Sequence, residues 1–437
     1  MTPLLGILVA ALLLLGLLLV ARAWQVRGGL APETARKLMH LGMGLMALSF
    51  PWLLRETWAV LVVCALSVGA LLGLRRVRAL RQRVGGVLHD VERHSGGDVY
   101  FLLSVAGLYV LAQGDPVLYV IPLAVLTFAD GLAALAGVNY GRIRYAGADG
   151  FKSVEGSVAF AAVTFLVTHV PLLLLSDVGR AESLAIAALV AVLTMLIEAI
   201  AWEGIDNVLV PLATFIAVDG HREATLRLQL EHLASITLLT VLVFVLRRRM
   251  PLTAGALAST ALGLYLCLTL GSPAWLLAPV TVAAAALALY WARRPAAPRP
   301  LADYGVQVIV SLAIPGLMWL LTVRGLGEER ALYGFTVCWA AQLAGLGAFS
   351  RQSGELEAPM HPASGRDLLT GLGLSLLVLL PWALLHGASA AQVLTGTALV
   401  AGALLLCGLL SARHLLNLPR QIVLLGLTGV FTLLVWP

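Results

Sequence analysis

Residues 4–20 read LLGILVAALLLLGLLLV, a run that contains no charged side chain. An α-helix needs about 20 consecutive apolar residues to cross the hydrocarbon core of a bilayer. Similar runs recur along the whole chain of 437 residues, of which 60% are hydrophobic and only 12% are charged. The runs are continuous and rich in Leu and Ala, whereas membrane β-barrel strands alternate between apolar and polar residues. The sequence therefore predicts an all-α polytopic membrane protein with about sixteen transmembrane helices.

Basic residues are concentrated in alternate loops. Groups of Arg and Lys follow the first, third, fifth and ninth predicted spans, whereas the loops between them are short and poor in these residues. Because cytoplasmic loops carry the excess of Lys and Arg, we expect the N-terminus outside and these basic loops in the cytoplasm. This pattern predicts an integral protein of the bacterial cytoplasmic membrane. A cleaved leader ending near Ala21-Arg22-Ala23 is the alternative interpretation of the first run.

A faint internal repeat divides the sequence into two parts. Ser49-Phe-Pro-Trp-Leu-Leu54 recurs as Gly271-Ser-Pro-Ala-Trp-Leu-Leu277, and Ala133–Gly137 resembles Ala341–Gly345. These matches favour two parallel seven-helix repeats, although Ala- and Leu-rich sequence also produces such matches by chance. We therefore expect an N-terminal anchor (1–30), a catalytic membrane domain (31–220), a linking helix (221–250) and an accessory membrane domain, a candidate degenerate repeat (251–437).

Acidic residues are distributed unevenly between these parts. Asp130, Glu198 and Asp206 lie in or beside apolar runs, whereas the six acids of residues 251–437 all lie in loops. An acid in a transmembrane segment is costly and indicates a functional site by default. Carboxylates beside phosphate oxygens are the surroundings that Mg²⁺ prefers. The three acids therefore predict a Mg²⁺ site, in which Glu198 and Asp206 share a helix face if one helix continues through Gly204.

Lysine is nearly absent from the chain. Of 29 basic residues, only Lys37 and Lys152 are lysine. A compact ammonium binds phosphate as a point charge, which arginine does not reproduce well. Lys152 opens the segment Lys152-Ser-Val-Glu-Gly-Ser157, and nearby glycines permit close approach of either a phosphate or another helix. The segment predicts a phosphate site without a Walker A motif; chance survival of two lysines is the alternative.

Five short segments, taken in order, resemble a known family. They are Arg36-Lys-Leu-Met-His40, Gly97-Asp-Val-Tyr-Phe101, Ala129-Asp-Gly-Leu-Ala-Ala-Leu-Ala-Gly137 with Tyr140-Gly141, Lys152-Ser-Val-Glu-Gly-Ser157, and Asp206-Asn207 with Pro211. Their order and spacing resemble those of the CTP-dependent polyprenol kinases, integral membrane enzymes that include dolichol kinase and phytol kinase. The family usually reads Gly-Asp at Ala129-Asp130 and often Asp-Asp-Asn at Ile205-Asp206-Asn207. The resemblance covers less than half of the chain.

The resemblance implies a membrane kinase that transfers the γ-phosphate of CTP to an isoprenoid alcohol, such as phytol, geranylgeraniol or a longer polyprenol, at the cytoplasmic face. The expected partners are this alcohol, CTP, Mg²⁺ and the lipid bilayer, without nucleic acid. The implied catalytic residues are His40, Asp130, Lys152 and Asp206, and the implied metal ligands are Asp130, Glu198 and Asp206. The implied nucleotide-binding residues are Gly137, Gly141, Lys152, Ser153, Glu155, Gly156, Ser157 and Asn207. Substrate or phosphate contacts are implied for Arg36, Lys37 and Asp98.

Three other functions stay open at this point. A cytidylyltransferase acting on a lipid phosphate uses the same pocket with CTP and Mg²⁺, but its product retains the cytidine. A membrane transporter fits parallel repeats, yet it places charges near the midplane rather than at the cytoplasmic ends of the spans. A non-catalytic membrane scaffold does not account for the retention of Lys152. The residues alone do not separate CTP from ATP.

Overall fold

The computed structural model describes residues 2–26, 32–76, 96–147, 150–250, 252–292, 305–349 and 362–435. The chain divides into two compact units, Met1–Thr237 and Leu238–Pro437. Within the described ranges, eight helices are long and apolar enough to cross a membrane, and seven shorter apolar helices accompany them. The all-α polytopic membrane fold is thus confirmed, whereas the number of sixteen spans stays a prediction.

The first unit is built from helices and one small hairpin. It begins with α1 (Pro3–Val26), α2 (Pro32–Leu48), the short α3 (Phe50–Leu53), α4 (Thr57–Arg76) and α5 (Gly97–Ala112). One long apolar helix follows, made of α6 (Pro116–Ala124), a π-helical turn (Val125–Ala129) and α7 (Asp130–Tyr140). The hairpin strands are β1 (Arg144–Gly147) and β2 (Gly150–Ser153). The last helices are α8 (Val154–Leu175), α9 (Arg180–Ile200), α10 (Asp206–His221) and α11 (Leu226–Val245), which crosses the boundary between the units.

A tight turn separates α9 from α10. Glu203 and Gly204 have positive φ angles of 52° and 84°, and such angles end a right-handed helix. Continuation of a single helix through Gly204 therefore does not occur. Helix α9 ends at Ile200 and α10 begins at Asp206, so Glu198 and Asp206 lie on two different helices.

The β1–β2 hairpin is the departure from helical structure that the sequence analysis did not anticipate. The strands pair antiparallel, with Tyr145 opposite Lys152 and Gly147 opposite Gly150. The dipeptide Asp149-Gly150 is a strong turn signal between strands and could have identified the hairpin. Ser153 ends the hairpin and caps α8, because its Oγ accepts a hydrogen bond from the Gly156 N–H at 3.1 Å.

The second unit is assembled around one buried helix, α16. In order it contains a 3₁₀ turn (Leu246–Arg249), α12 (Ala254–Leu270), a second 3₁₀ turn (Pro273–Leu276), α13 (Leu277–Ala292), α14 (Val306–Leu320), α15 (Val323–Leu326), α16 (Glu328–Phe349), α17 (Gly365–His386), α18 (Ala390–Ala412) and α19 (Leu418–Phe431). Tyr333 and Phe335 of α16 pack in a core with Trp275 and Trp382. The 3₁₀ turn Pro273–Leu276 follows α12 in the same way as the short helix α3 follows α2, so the two parts of the proposed repeat share this order of elements. The internal duplication and the domain limits proposed from the sequence stay predictions.

Candidate functional site

Three carboxylates converge in the first unit. Asp130 begins α7, Glu198 lies in the last turn of α9, and Asp206 begins α10. One oxygen atom from each of the three side chains lies within 4.8 Å of the others, and all three residues are partly buried. The structure therefore brings together the three residues that the sequence analysis predicted as metal ligands.

Local backbone geometry explains this convergence. The π-helical turn Val125–Ala129 comes immediately before Asp130 inside a long helix, and single π turns of this kind are frequent at functional sites. Asp130 therefore lies within a helix that continues ten residues to Tyr140, rather than at the end of a span. The tight turn at Glu203 and Gly204 reverses the chain and places Asp206 beside Glu198.

Lys152 is held against the carboxylate cluster by Glu198. Its Nζ atom lies 2.8 Å from Glu198 Oε1 and also donates a hydrogen bond to the backbone carbonyl of Glu198. Burial opposes the charged ammonium, but the carboxylates of Glu198 and, to a lesser extent, Asp206 outweigh it and raise the pKa of Lys152 above its ordinary value. Lys152 therefore remains positively charged at neutral and moderately alkaline pH.

The donor set fits a hard divalent cation. The cluster offers three carboxylates, and the salt bridge to Lys152 offsets one of their negative charges. Glu198 Oε2 is buried and has no hydrogen-bond partner among the described residues, which is costly unless a cation neutralises it. Mg²⁺ binds through carboxylate oxygens together with water or phosphate oxygens. The residues present therefore suit Mg²⁺.

His40 lies at the edge of the cluster. Its Nε2 atom is 3.8 Å from Asp130 Oδ2 and 3.3 Å from the carbonyl oxygen of Leu126, in the π-helical turn. The imidazole ring also meets the edge of Phe101 with a centroid distance of 5.0 Å. Because a carbonyl oxygen can only accept, this geometry assigns the hydrogen atom to Nε2. The side chains of Arg36 and Lys37, on α2 before His40, lie outside what the structure describes.

The glycines of the predicted nucleotide site are packing residues in this structure. A Cβ atom added at Gly137 would lie 3.1 Å from Ser153 Oγ, and one added at Gly141 would lie 2.9 Å from the same atom. At Gly156 an added Cβ would meet Ser153 Oγ at 3.0 Å and the carbonyl oxygen of Ala133 at 3.2 Å. These glycines allow α7 to touch the beginning of α8, so that Lys152 is positioned beside the cluster. Their role in nucleotide binding stays a prediction.

The remaining polar residues of the lysine segment fasten the hairpin to α8. The Glu155 carboxylate accepts hydrogen bonds from the Ile143 N–H at 3.2 and 3.3 Å. Ser157 Oγ donates to the Ser153 carbonyl at 3.2 Å and lies 2.7 Å from the hydroxyl of Tyr145. The sequence analysis missed Tyr145. The available signal was its position shortly before the glycines Gly147 and Gly150 and the Lys152 segment.

Asn207 joins two of the segments identified in the sequence. Its Nδ2 atom donates to the Gly97 carbonyl at 3.2 Å, and its own carbonyl accepts from Ser104 Oγ at 2.5 Å. These bonds tie the start of α10 to α5 and thereby fix Asp206. Asp98, in the first turn of α5, lines an apolar cavity next to the cluster.

Comparison with curated proteins identifies a related enzyme. A phytol kinase of Synechocystis sp. is 33% identical to this chain over 185 residues, which is 42% of this chain and 76% of that kinase. The chain belongs to the phytol kinase family. No family model matches the chain. No solved structure matches it.

Membership of the phytol kinase family confirms the resemblance that the five sequence segments predicted. The similarity covers less than half of the residues, so the rest of the chain is not accounted for by this relative.

Proposed function

We propose that the protein is an integral-membrane kinase that transfers the γ-phosphate of CTP to the hydroxyl of an isoprenoid alcohol at the cytoplasmic face of the membrane. The observation that carries this proposal is the gathering of Asp130, Glu198 and Asp206 around Lys152 beside apolar helices. The name of the related phytol kinase supports a long-chain alcohol as acceptor. Phytol, geranylgeraniol and longer polyprenols are the proposed substrates.

Lys152 supplies the principal contact to the phosphates of the nucleotide. An ammonium group has three N–H donors, and the structure directs two of them to Glu198. The third donor has no hydrogen-bond acceptor within the described ranges and would serve a phosphate oxygen. Lys152 also stands two residues before the start of α8, where the helix dipole favours negative charge. The other residues of the segment, Ser153, Glu155, Gly156 and Ser157, would shape this phosphate site.

Asp130, Glu198 and Asp206 would hold Mg²⁺. When bound, Mg²⁺ neutralises the charge that develops on the phosphate oxygens during transfer. The buried Glu198 Oε2 atom, which has no hydrogen-bond partner in the described part of the chain, and the excess of negative charge support this assignment.

His40 and Asp130 form the pair to which we assign the proton of the lipid hydroxyl. The hydroxyl oxygen forms a bond to the γ-phosphorus while the bond from that phosphorus to the bridging oxygen breaks, and CDP leaves. The hydroxyl proton passes to the Asp130 carboxylate or to the unprotonated Nδ1 of His40. Nε2 of His40 lies 3.8 Å from Asp130 Oδ2, so the two candidate proton acceptors are neighbours.

A second candidate function is cytidylyl transfer to a lipid phosphate, which would use the same carboxylates and Lys152. Isotope labelling distinguishes this reaction from the kinase reaction. Purified protein with Mg²⁺, geranylgeraniol and CTP labelled at either the α- or the γ-phosphorus is extracted into organic solvent. The kinase proposal predicts label in the lipid with γ-labelled CTP and none with α-labelled CTP. Lipid label from α-labelled CTP with a lipid phosphate as acceptor would instead support the cytidylyltransferase. Replacing CTP by γ-labelled ATP tests the choice of nucleotide.

A further inference from the structure

An apolar cavity lies among α1, α2, α4 and α5 of the first unit. Its volume is about 300 Å³, and nearly all of its wall is hydrocarbon. Polar groups are few, and Asp98 is the charged residue among its described lining residues. A cavity with one polar end and apolar walls suits an amphiphile with a small polar head.

The cavity adjoins the carboxylate cluster. Phe101 and Met39 line the cavity. The Phe101 ring contacts His40 at a centroid distance of 5.0 Å, and Met39 precedes His40 on α2. His40 Nε2 in turn lies 3.8 Å from Asp130 Oδ2. The end of the cavity near Asp98 and Phe101 is thus one side chain away from the proposed site of phosphoryl transfer.

The cavity follows the helices into the apolar part of the unit. On α2 it is lined from Met39 to Ala47, a rise of about 12 Å at 1.5 Å per residue. That depth is more than a third of the roughly 30 Å hydrocarbon core of a bilayer. Met39, Met43 and Met46 lie on this wall, and their flexible side chains can adapt to the methyl branches of an isoprenoid chain.

We propose that this cavity binds the hydrocarbon chain of the lipid alcohol, with the hydroxyl at the end lined by Asp98 and Phe101, next to His40. The proposal rests on the proposed function, because it takes a lipid alcohol as the substrate. The position of the cavity favours this occupant, because its wall includes Phe101, whose ring contacts His40 beside the proposed site of transfer. A hydroxyl can donate a hydrogen bond to the Asp98 carboxylate, whose two oxygens can accept several such bonds.

A side chain that narrows the cavity tests the proposal. Ser67 of α4 lines the cavity, whereas Ala65 of the same helix is exposed and does not. We expect Ser67→Phe to lower kcat/KM for geranylgeraniol at least tenfold, mainly through KM, and to change kcat/KM for geraniol less than threefold. Ala65→Phe is the matched control and should leave both values within twofold. Equal losses for both alcohols, or no loss for geranylgeraniol, would overturn the proposal.

A binding experiment keeps this test independent of catalysis and of any misfolding of the bulky variant. Wild-type protein in phosphatidylcholine vesicles is photolabelled with a geranylgeraniol analogue that carries a diazirine in its terminal isoprene unit, and labelled peptides are mapped by mass spectrometry. Label in α1, α2, α4 or α5 that unlabelled geranylgeraniol displaces supports the cavity. If no phosphoryl transfer is detected in the same preparation, the proposed function fails alone. Active protein labelled outside these helices would overturn the cavity proposal.

Met43→Ala, which enlarges the cavity, should leave labelling intact and improve the relative kcat/KM of longer polyprenols.

Discussion

Lys152 and Glu198 define the site at the scale of single residues. The 2.8 Å salt bridge fixes the ammonium beside the carboxylate cluster, and its raised pKa keeps it charged. In phosphoryl transfer, protein groups act mainly by positioning and by neutralising charge, so a fixed positive charge is the property that matters here.

Removal of this charge gives the first prediction. Lys152→Met should reduce the rate of lipid phosphorylation at least a hundredfold, because the nucleotide phosphates lose their fixed cation. The matched control is Arg144→Gln on the same hairpin, which removes an exposed positive charge and should keep activity within threefold. Rates are measured on monodisperse protein in detergent. A folded Lys152→Met protein with more than one tenth of the wild-type rate would contradict the assignment.

The metal assignment gives a second prediction. Asp206→Asn should raise the Mg²⁺ concentration needed for half-maximal activity at least tenfold, because one charged ligand of the cluster is lost. Glu203→Gln, in the adjacent turn with an exposed side chain, should leave it within twofold. The measurement is activity against free Mg²⁺ for the three proteins. An unchanged Mg²⁺ requirement in Asp206→Asn would exclude Asp206 as a ligand.

The sequence was most informative at this scale. Carboxylates in apolar runs and a nearly unique lysine are chemically unusual, so Asp130, Lys152, Glu198 and Asp206 could be named before the structure was known. The residues that these side chains contact could not be named from the sequence. The contact of Lys152 with Glu198 joins residues 46 positions apart, and no local pattern in the sequence encodes such a pair.

At the scale of elements, the contact between α7 and the start of α8 positions Lys152. Gly137 and Gly156 permit it, since a Cβ added at either would crowd Ser153 Oγ at 3.1 or 3.0 Å. Ser153 in turn caps α8. The hairpin and the first turn of α8 therefore depend on small residues in α7.

This packing leads to a third prediction. Gly137→Val should lower kcat/KM at least tenfold and destabilise the protein by about 1–3 kcal/mol, because an overpacked contact displaces Ser153 and the adjoining Lys152. Gly107→Ala in α5 is the control, since no atom lies within 4 Å of its added Cβ. Thermal unfolding followed by a thiol-reactive dye and the kinase assay report the two effects. Normal activity in Gly137→Val would show that the close contact is dispensable.

Element boundaries were harder to predict than element type. Hydropathy identified the apolar helices, but it left undecided whether α9 continued into α10. The positive φ angles at Glu203 and Gly204 decide that point. The hairpin strands are only four residues long and lie between long apolar helices, so the turn signal of Asp149-Gly150 was their main sequence signature.

At the scale of the whole molecule, the site residues described here all lie in the first unit, and the second unit is built on a buried helix of its own, α16. The spacing that relates Ala133–Gly137 to Ala341–Gly345 pairs Asp130 with Cys338, a fully buried thiol in that helix. If the second unit is a degenerate repeat, the counterpart of the Asp130 carboxylate is a small core residue.

This comparison gives a fourth prediction. Cys338→Ala should keep lipid kinase activity within twofold, because Cys338 packs in a core and carries no charge. Asp130→Asn, the corresponding change in the first unit, should lower activity at least a hundredfold. The two variants are assayed side by side at saturating Mg²⁺. A folded Cys338→Ala protein without activity would contradict a non-catalytic second unit.

Composition predicted the membrane class of the whole chain, because charged residues are too scarce to cover the surface of a soluble protein. The two-part organisation was only faintly visible, since repeats of Ala and Leu carry little information. The boundary between the compact units lies inside α11, in the region that the sequence analysis treated as a linking helix. Such a boundary depends on contacts between distant residues, which composition does not record.

The kinase proposal is tested most directly by the transfer of label from γ-³²P-CTP to geranylgeraniol, measured in parallel for wild-type protein and for Glu198→Gln. Glu198 links Lys152 to the carboxylate cluster, and the substitution keeps its shape while removing its charge. We predict labelled lipid phosphate with the wild type and less than 1% of that rate with Glu198→Gln. Equal rates for the two proteins, or an absence of labelled lipid with the wild type, would contradict the account.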